Sequence, residues 1–111
     1  MKKILLGCTG AILLIFLAMQ SPGAGETNAP NAVTIADFHF TPQTLTVPAG
    51  TTVTWINRDD EPHTVTSADK KSFVSPALDT GEKFSFKFAA PGTNDYYCSM
   101  HPRMKGKIIV Q

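Results

Sequence analysis

The sequence predicts an all-β domain, either a sandwich or a barrel, and three observations indicate it. At least six short runs alternate apolar and polar residues with the period of two that is typical of half-buried strands. Turns that contain glycine or proline separate these runs. No stretch after residue 25 shows the period of an amphipathic helix, and 111 residues suffice for one domain at most.

The N-terminal 25 residues have the order of a secretory signal peptide. Lys2 and Lys3 precede an apolar run over residues 4–19, and small residues follow before the first acid, Glu26. An uncleaved membrane anchor is the alternative, but this run is shorter than the roughly 20 residues that span a bilayer. We therefore expect a signal peptide (1–25), a polar linker (26–32) and one domain (33–111), in the periplasm or another extracytoplasmic compartment.

Each predicted strand places its larger apolar side chains on one face. In chain order these sets are Val33 and Ile35, Phe38 and Phe40, Leu45 and Val47, Val53 and Trp55 with Asn57, Val65 with His63 and Ser67, Phe84 with Phe86 and Phe88, and Ile108 with Val110. Strands over 94–98 and 105–111 close the chain. One helical turn is compatible with residues 75–78. The alternating phenylalanines are assigned to the core.

Charge and cysteine content limit the classes of partner and of chemistry. Removal of residues 1–25 leaves eight basic and nine acidic residues, a net charge of −1. This balance favours neither a nucleic acid nor a strongly charged membrane surface as a partner. Cys8 leaves with the signal peptide, so Cys98 is the single cysteine of an exported chain. Such a thiol has no internal disulfide partner in an oxidising compartment, and a bound metal would protect it.

The segment after residue 97 carries the donors of a metal site. Cys98, His101 and Met104 stand at C-x2-H-x2-M spacing, and His63 adds a second imidazole from upstream. Cys98 ends a predicted strand, and the loop after it would deliver the next two donors. Two imidazoles and a thiolate with a weak axial thioether are typical of a blue-copper electron-transfer site. His39 has no partner at ligand spacing and is assigned a structural role.

Other interpretations explain these residues less well. Structural zinc needs four strong donors, whereas the fourth donor here is a thioether. A Cys98–His101 nucleophile pair needs an orienting group and an oxyanion hole, and no motif for either is visible. A second metal of a copper enzyme would have only His39 left as a histidine ligand. Copper carriage is the other class of function, although carriers usually use open sites rich in Met or His.

Two parts of the sequence resemble the cupredoxin family. The first is PAGTTVTWIN (48–57) followed by DEPHTV (60–65), and the second is PGT (91–93) followed by YYC (96–98), HP (101–102), Met104 and Gly106. The resemblance covers residues 33–111 and implies a Greek-key β-sandwich. Its ligand spacing is the short one of amicyanin, whereas plastocyanin and pseudoazurin have longer gaps before the methionine.

The resemblance also implies a role for each residue of the site. As ligands of one copper ion it implies two equatorial imidazoles, a thiolate and a long axial sulfur, from His63, His101, Cys98 and Met104. As hydrogen-bonding neighbours that hold the ligands it implies Asn57, Thr64 and Ser99. The electron would leave through one edge of the second imidazole, inside a docking patch formed by His101, Met100, Pro102, Arg103 and Pro62.

The implied function is one-electron transfer between redox proteins by a mobile exported monomer that cycles between Cu(II) and Cu(I) and has no catalytic centre. Arg103 and the acidic run over 59–61 would steer the partners. Three positions depart from the amicyanin pattern, where proline, phenylalanine and tyrosine stand in place of Met100, Arg103 and Asn94. Two of these lie on the docking loop, so docking to methylamine dehydrogenase, the amicyanin partner, is not implied.

Overall fold

The computed structural model describes residues 31–111, so the predicted signal peptide and most of the predicted linker lie outside the described residues. Eight strands form this part of the chain. They are β1 (Ala32–Ala36), β2 (His39–Thr41), β3 (Thr44–Val47), β4 (Thr51–Asn57), β5 (Thr66–Ser67), β6 (Lys83–Phe88), β7 (Gly92–Cys98) and β8 (His101–Val110). None of the described residues belongs to a helix that could span a membrane.

The strands form two four-stranded sheets, which confirms the predicted β-sandwich. One sheet has the order β2-β1-β4-β6 and the other the order β3-β8-β7-β5. The pairs β1–β4 and β3–β8 are parallel, and the remaining neighbours are antiparallel. Parallel neighbours require a crossover, so the chain passes from one sheet to the other between β2 and β3 and again between β3 and β4.

Aromatic rings fill the space between the sheets. Trp55 on β4 is fully buried and packs against Phe73, Phe84, Phe88 and Tyr96. A buried ring of this size removes about 150–250 Å² from water, worth about 4–6 kcal/mol of transfer free energy. The alternation over 51–57 therefore had the predicted result, because its apolar face is the face that meets the core.

The tight turn between β1 and β2 corrects one prediction. Phe38 was expected to share a buried face with Phe40, but its side chain is 45% exposed, whereas that of Phe40 is buried. Ala36 pairs with His39, so Asp37 and Phe38 form a two-residue hairpin turn, with φ of 52° and 60°. Both φ values are positive, as two-residue hairpin turns require, and the turn interrupts the alternation.

The segments around the predicted ligands differ from the sequence prediction in two places. The predicted strand over 63–67 is reduced to β5 and two single bridges, His63 with Leu78 and Thr66 with Val74. The helical turn at 75–78 does not form, because the backbone of Leu78 exchanges hydrogen bonds with that of His63. The last strand begins at His101, four residues earlier than expected.

Candidate metal centre

Two of the predicted donors face each other across a hairpin. Cys98 is the last residue of β7 and pairs with His101, the first residue of β8, so Ser99 and Met100 alone form the turn. The loop predicted over 99–104 is therefore mostly strand. The pairing shifts between Tyr97 and Cys98, because Tyr97 is opposite Lys105. Three residues of β8 thus have no partner on β7, and this bulge lets the strand bend around the site.

His63 reaches the same place from the other side of the sandwich. Its backbone N–H donates to the carbonyl of Leu78 over 3.1 Å, and its carbonyl accepts from the N–H of Leu78 over 2.7 Å. This bridge fixes the backbone of a residue that no long strand holds. The His63 side chain is fully buried, whereas that of His101 is half-buried.

Three donor atoms converge at this point. Sγ of Cys98 lies 3.7 Å from Nδ1 of His63 and 3.6 Å from Nδ1 of His101, and all three atoms lie within 4.8 Å of one another. A trigonal ion bound about 2.3 Å from sulfur and about 2.0 Å from nitrogen separates these donors by about 3.7 Å. The donor atoms therefore stand at the spacing that a planar set of one thiolate and two imidazoles requires.

Met104 supplies the softest of the four predicted donors. It lies in the bulged part of β8, three residues after His101, and its side chain is buried. It lines the same groove as His101. A thioether beside a thiolate and two imidazoles favours copper over zinc, because zinc sites take thiolate, imidazole or carboxylate as the fourth donor.

Thr64 and Ser99 hold the thiol in place. The backbone N–H of Thr64 donates to Cys98 Sγ over 3.3 Å, and the N–H of Ser99 donates to Thr64 Oγ1 over 2.8 Å. The hydroxyl oxygens of Thr64 and Ser99 are 2.9 Å apart. The hairpin turn that carries the thiol is thus tied to the segment that carries His63. An N–H directed at the sulfur stabilises its thiolate form.

Asn57 braces the loop before His63. Its Nδ2 donates to the carbonyls of Glu61 and Leu78, over 2.9 and 2.8 Å, and its Oδ1 accepts from the N–H of Asp59 over 2.9 Å. Asn57 is fully buried at the end of β4. All three of these bonds link β4 to backbone on either side of His63, so they fix the position of that imidazole.

Asp59 is a residue of the site that the sequence prediction did not assign. Its carboxylate lies 2.8 Å from Nε2 of His63 and accepts from the backbone N–H groups of Asp37 and Phe38, over 2.6 and 2.9 Å. Burial opposes ionisation of this carboxyl, but the N–H groups of Phe38 and Asp37 and the His63 ring together hold its pKa below the ordinary 3.8. A bond to Nε2 leaves Nδ1 as the nitrogen free to bind a metal.

Phe38 covers the two imidazoles from the outside. Its ring packs edge-on against His63 and His101, with ring centroids 5.2 and 5.0 Å away. A phenylalanine at positive φ is unfavourable, and Asp59 holds this turn through both of its N–H groups. The signal that sequence reasoning missed was the Asp37-Phe38 pair between two short strands, which is a hairpin turn rather than a continuation of the alternation.

The described donors form the site of a known class of protein. The family profile described as a cupredoxin-like domain matches residues 9–110. Amicyanin-alpha of Methylorubrum extorquens is 39% identical over 98 residues, which cover 85% of this chain and 79% of that protein. Plastocyanin of Scenedesmus fuscus is 36% identical over 84 residues, which cover 65% of this chain and 86% of that protein.

A solved structure supports the same assignment. A novel purple cupredoxin from Nitrosopumilus maritimus superposes with a TM-score of 0.69 at 35% identity, covering 72% of this chain and 98% of that one. The chain belongs to the cupredoxin family. Within that family it is similar to the amicyanins and plastocyanins, and its donor set identifies one copper ion as the cofactor.

Proposed function

We propose that this protein shuttles single electrons between redox proteins outside the cytoplasm, through a type 1 copper site. In this proposal Nδ1 of His63, Nδ1 of His101 and Sγ of Cys98 bind the ion in one plane, and Met104 provides the weak axial sulfur. The convergence of a buried thiol with two imidazole nitrogens, at 3.6 and 3.7 Å, is the observation that carries it. A copper ion in such a site supplies the one-electron couple between Cu(II) and Cu(I).

The polypeptide contributes rigidity. Cys98 and His101 are paired strand residues, His63 is bridged to Leu78, and Asn57, Thr64 and Ser99 join these segments by hydrogen bonds. Ligands fixed in this way keep one arrangement in both oxidation states. The cost of reorganisation on electron arrival is therefore small, which is what an electron carrier requires and a copper carrier does not.

The exposed edge of the site suits transient docking. His101 is half-buried, and Met100 beside it is 47% exposed. Together with Phe38 and Pro102 they line one groove, and Arg103 stands at its border. Pro62 precedes the other imidazole and is half-buried. We propose that His101 is the electron exit, that these apolar side chains form the docking patch, and that the protein works as a monomer.

Electron transfer is proposed here rather than catalysis or copper carriage. Three strong donors and a thioether complete the coordination of one copper ion and leave no position for a substrate. A carrier must release its ion, whereas Cys98 and His63 are fully buried. The predicted signal peptide and the similarity to amicyanin favour a periplasmic location, with retention in the membrane as the alternative if the N-terminal segment is not cleaved.

Electron self-exchange of the copper-loaded protein tests this function. Proton resonances of the reduced protein broaden when a trace of oxidised protein is added if electrons pass rapidly between molecules. Met100→Lys places a charge on the docking patch and should slow this exchange about tenfold, because two like charges must then meet. Val74→Lys is the matched control, since Val74 is 52% exposed and lies outside the groove.

Two results would contradict the proposal. Sharp resonances in the mixture would show that electrons do not pass, and an equal effect of the two lysines would show that His101 is not the exit. Rapid loss of copper to a competing chelator, together with slow exchange, would instead support copper carriage.

A further inference from the structure

The outer face of β8 carries a row of positive charges that begins at the docking patch. Arg103, Lys105 and Lys107 occupy alternate positions, while the residues between and after them, Met104, Gly106 and Ile108, are buried. Residues two apart on a strand share a face and stand about 7 Å apart. Arg103 and Lys105 are exposed and Lys107 is half-buried, so the three cations form a row that points to solvent.

This cationic row is not neutralised by neighbouring acids. Within residues 31–111, a single ion pair closer than 4 Å is present, between His63 and Asp59, and it involves no residue of the row. The depression beside the row is lined by Lys70 as well as Lys105 and Lys107, and Asp95 is the one carboxylate in that lining. Cations without a partner keep their full field at the surface, where it acts on an approaching molecule.

The row is continuous with the groove that contains the electron exit. Arg103 and Lys105 line that groove together with His101, Phe38 and Met100. Lys105 and Pro102 line the neighbouring depression too, so the two concavities share a border. A partner that covers the apolar patch therefore also meets the cationic row.

Overall charge does not explain any attraction to this face. Residues 31–111 contain eight basic and eight acidic residues, so their net charge is zero. The acidic run over 59–61 stands at the Phe38 end of the patch, where the Asp59 carboxylate holds the turn. The patch thus has acids at one end and cations along β8, and this asymmetry can orient a partner although the net charge cannot attract one.

We propose that the cationic row selects a redox protein whose own electron port is bordered by Asp and Glu, and orients it so that this port faces His101. The proposal rests on the electron-transfer function above and specifies the class of partner. The row acts through the rate of association, because exposed charges change encounter rates more than they change the stability of the complex. Its effect is therefore large at low ionic strength and small at high ionic strength.

The test compares two c-type cytochromes of similar reduction potential, one acidic and one basic, as oxidants of the copper-loaded reduced protein in stopped-flow experiments. Ionic strengths of about 0.01 M and about 0.3 M give screening lengths well above and well below the length of the row. The informative variant is Lys105→Gln/Lys107→Gln. Its matched control, Lys83→Gln/Lys87→Gln, removes two exposed lysines from one outward face of β6 in the other sheet.

The expected result is faster reaction with the acidic cytochrome at low salt. Loss of Lys105 and Lys107 should slow that reaction by about three- to tenfold, which is at the lower end of steering effects on association rates. The control variant should keep the wild-type rate, and the difference should vanish at about 0.3 M salt. Hexacyanoferrate(III), a small trianion, serves as a probe that every active form of the protein can reduce.

Each other outcome overturns the proposal or the function beneath it. Faster reaction with the basic cytochrome, or an equal loss of rate in both double variants, would contradict selection by the row. Binding of the protein to vesicles of anionic lipid that depends on Lys105 and Lys107, with unchanged cytochrome rates, would assign the row to a membrane surface. Failure to reduce even hexacyanoferrate(III) would refute electron transfer itself, independently of the docking proposal.

Discussion

Replacement of Asp59 by asparagine tests the contact that links the metal site to the turn above it. The carboxylate accepts three hydrogen bonds, from Asp37, Phe38 and Nε2 of His63. An asparagine has one acceptor oxygen, so at least one of these N–H groups would face an amide N–H instead. The negative charge that makes His63 a stronger donor is lost in the same substitution.

The magnitude follows from the number of bonds and from the effect on the ligand. A hydrogen bond to a charged group contributes about 1.5–3 kcal/mol, so the metal-free variant should lose about 2 kcal/mol of unfolding free energy. Loss of a carboxylate behind a ligating histidine costs about 10–100-fold in metal affinity. If Cu(II) bears this loss, the reduction potential rises by up to about 60–120 mV, since tenfold corresponds to about 59 mV for one electron.

Two measurements and one control decide the matter. Urea unfolding of the metal-free protein gives the stability, and protein-film voltammetry gives the potential. Asp60→Asn is the control, because it removes an equal charge one residue away from an exposed side chain. A potential that moves equally in both variants, or by less than about 10 mV in Asp59→Asn, would refute a role of the carboxylate through His63.

Three further predictions concern pH, packing and the cover over the site. The difference in unfolding free energy between the metal-free wild type and Asp59→Asn should be constant above pH 3.8 and shrink as the pH falls further, because a carboxyl with a lowered pKa stabilises the fold only while it is ionised; urea titrations at several pH values measure it, and a difference that grows in acid would contradict it. Gly106→Ala should cost about 1–3 kcal/mol in thermal or urea unfolding, because the new Cβ would overlap the buried ring of Tyr96, and an unchanged stability would show that this ring can move. Phe38→Gly should change stability by less than about 1 kcal/mol, since relief of the positive φ offsets the lost ring contacts, yet it should speed copper removal by a chelator; an unchanged removal rate would show that the ring does not protect the site.

Much of the fold was predictable because burial on one face of a strand imposes a period of two. The run over 51–57 illustrates this, as Val53, Trp55 and Asn57 are buried as expected. The period fails at Phe38, where a turn of two residues reverses the chain, and at 63–67, where every residue is buried. A segment buried on both faces shows no alternation, so its strand length cannot be read from the pattern.

The four predicted donors were found from residue type and spacing alone, because few other reasons bring a lone exported thiol close to a histidine and a methionine. Their surroundings were harder to predict. The bond from Asp59 to His63 requires the side chain of one loop to meet both a ligand and a distant turn. Such contacts depend on the tertiary arrangement and leave no periodic signal in the sequence. Family resemblance supplied Asn57, whose hydrogen bonds the structure then described.

The visible absorption spectrum of the protein after addition of Cu(II) tests the central claim most directly. A type 1 site predicts an intense thiolate-to-copper charge-transfer band that disappears in Cys98→Ala, while Thr46→Ala, an exposed change on β3, leaves it intact. A pale solution with weak bands, or a band that survives Cys98→Ala, would show that the thiol does not bind copper. The electron-transfer function would then be contradicted, and copper carriage or a zinc site would explain the donors instead.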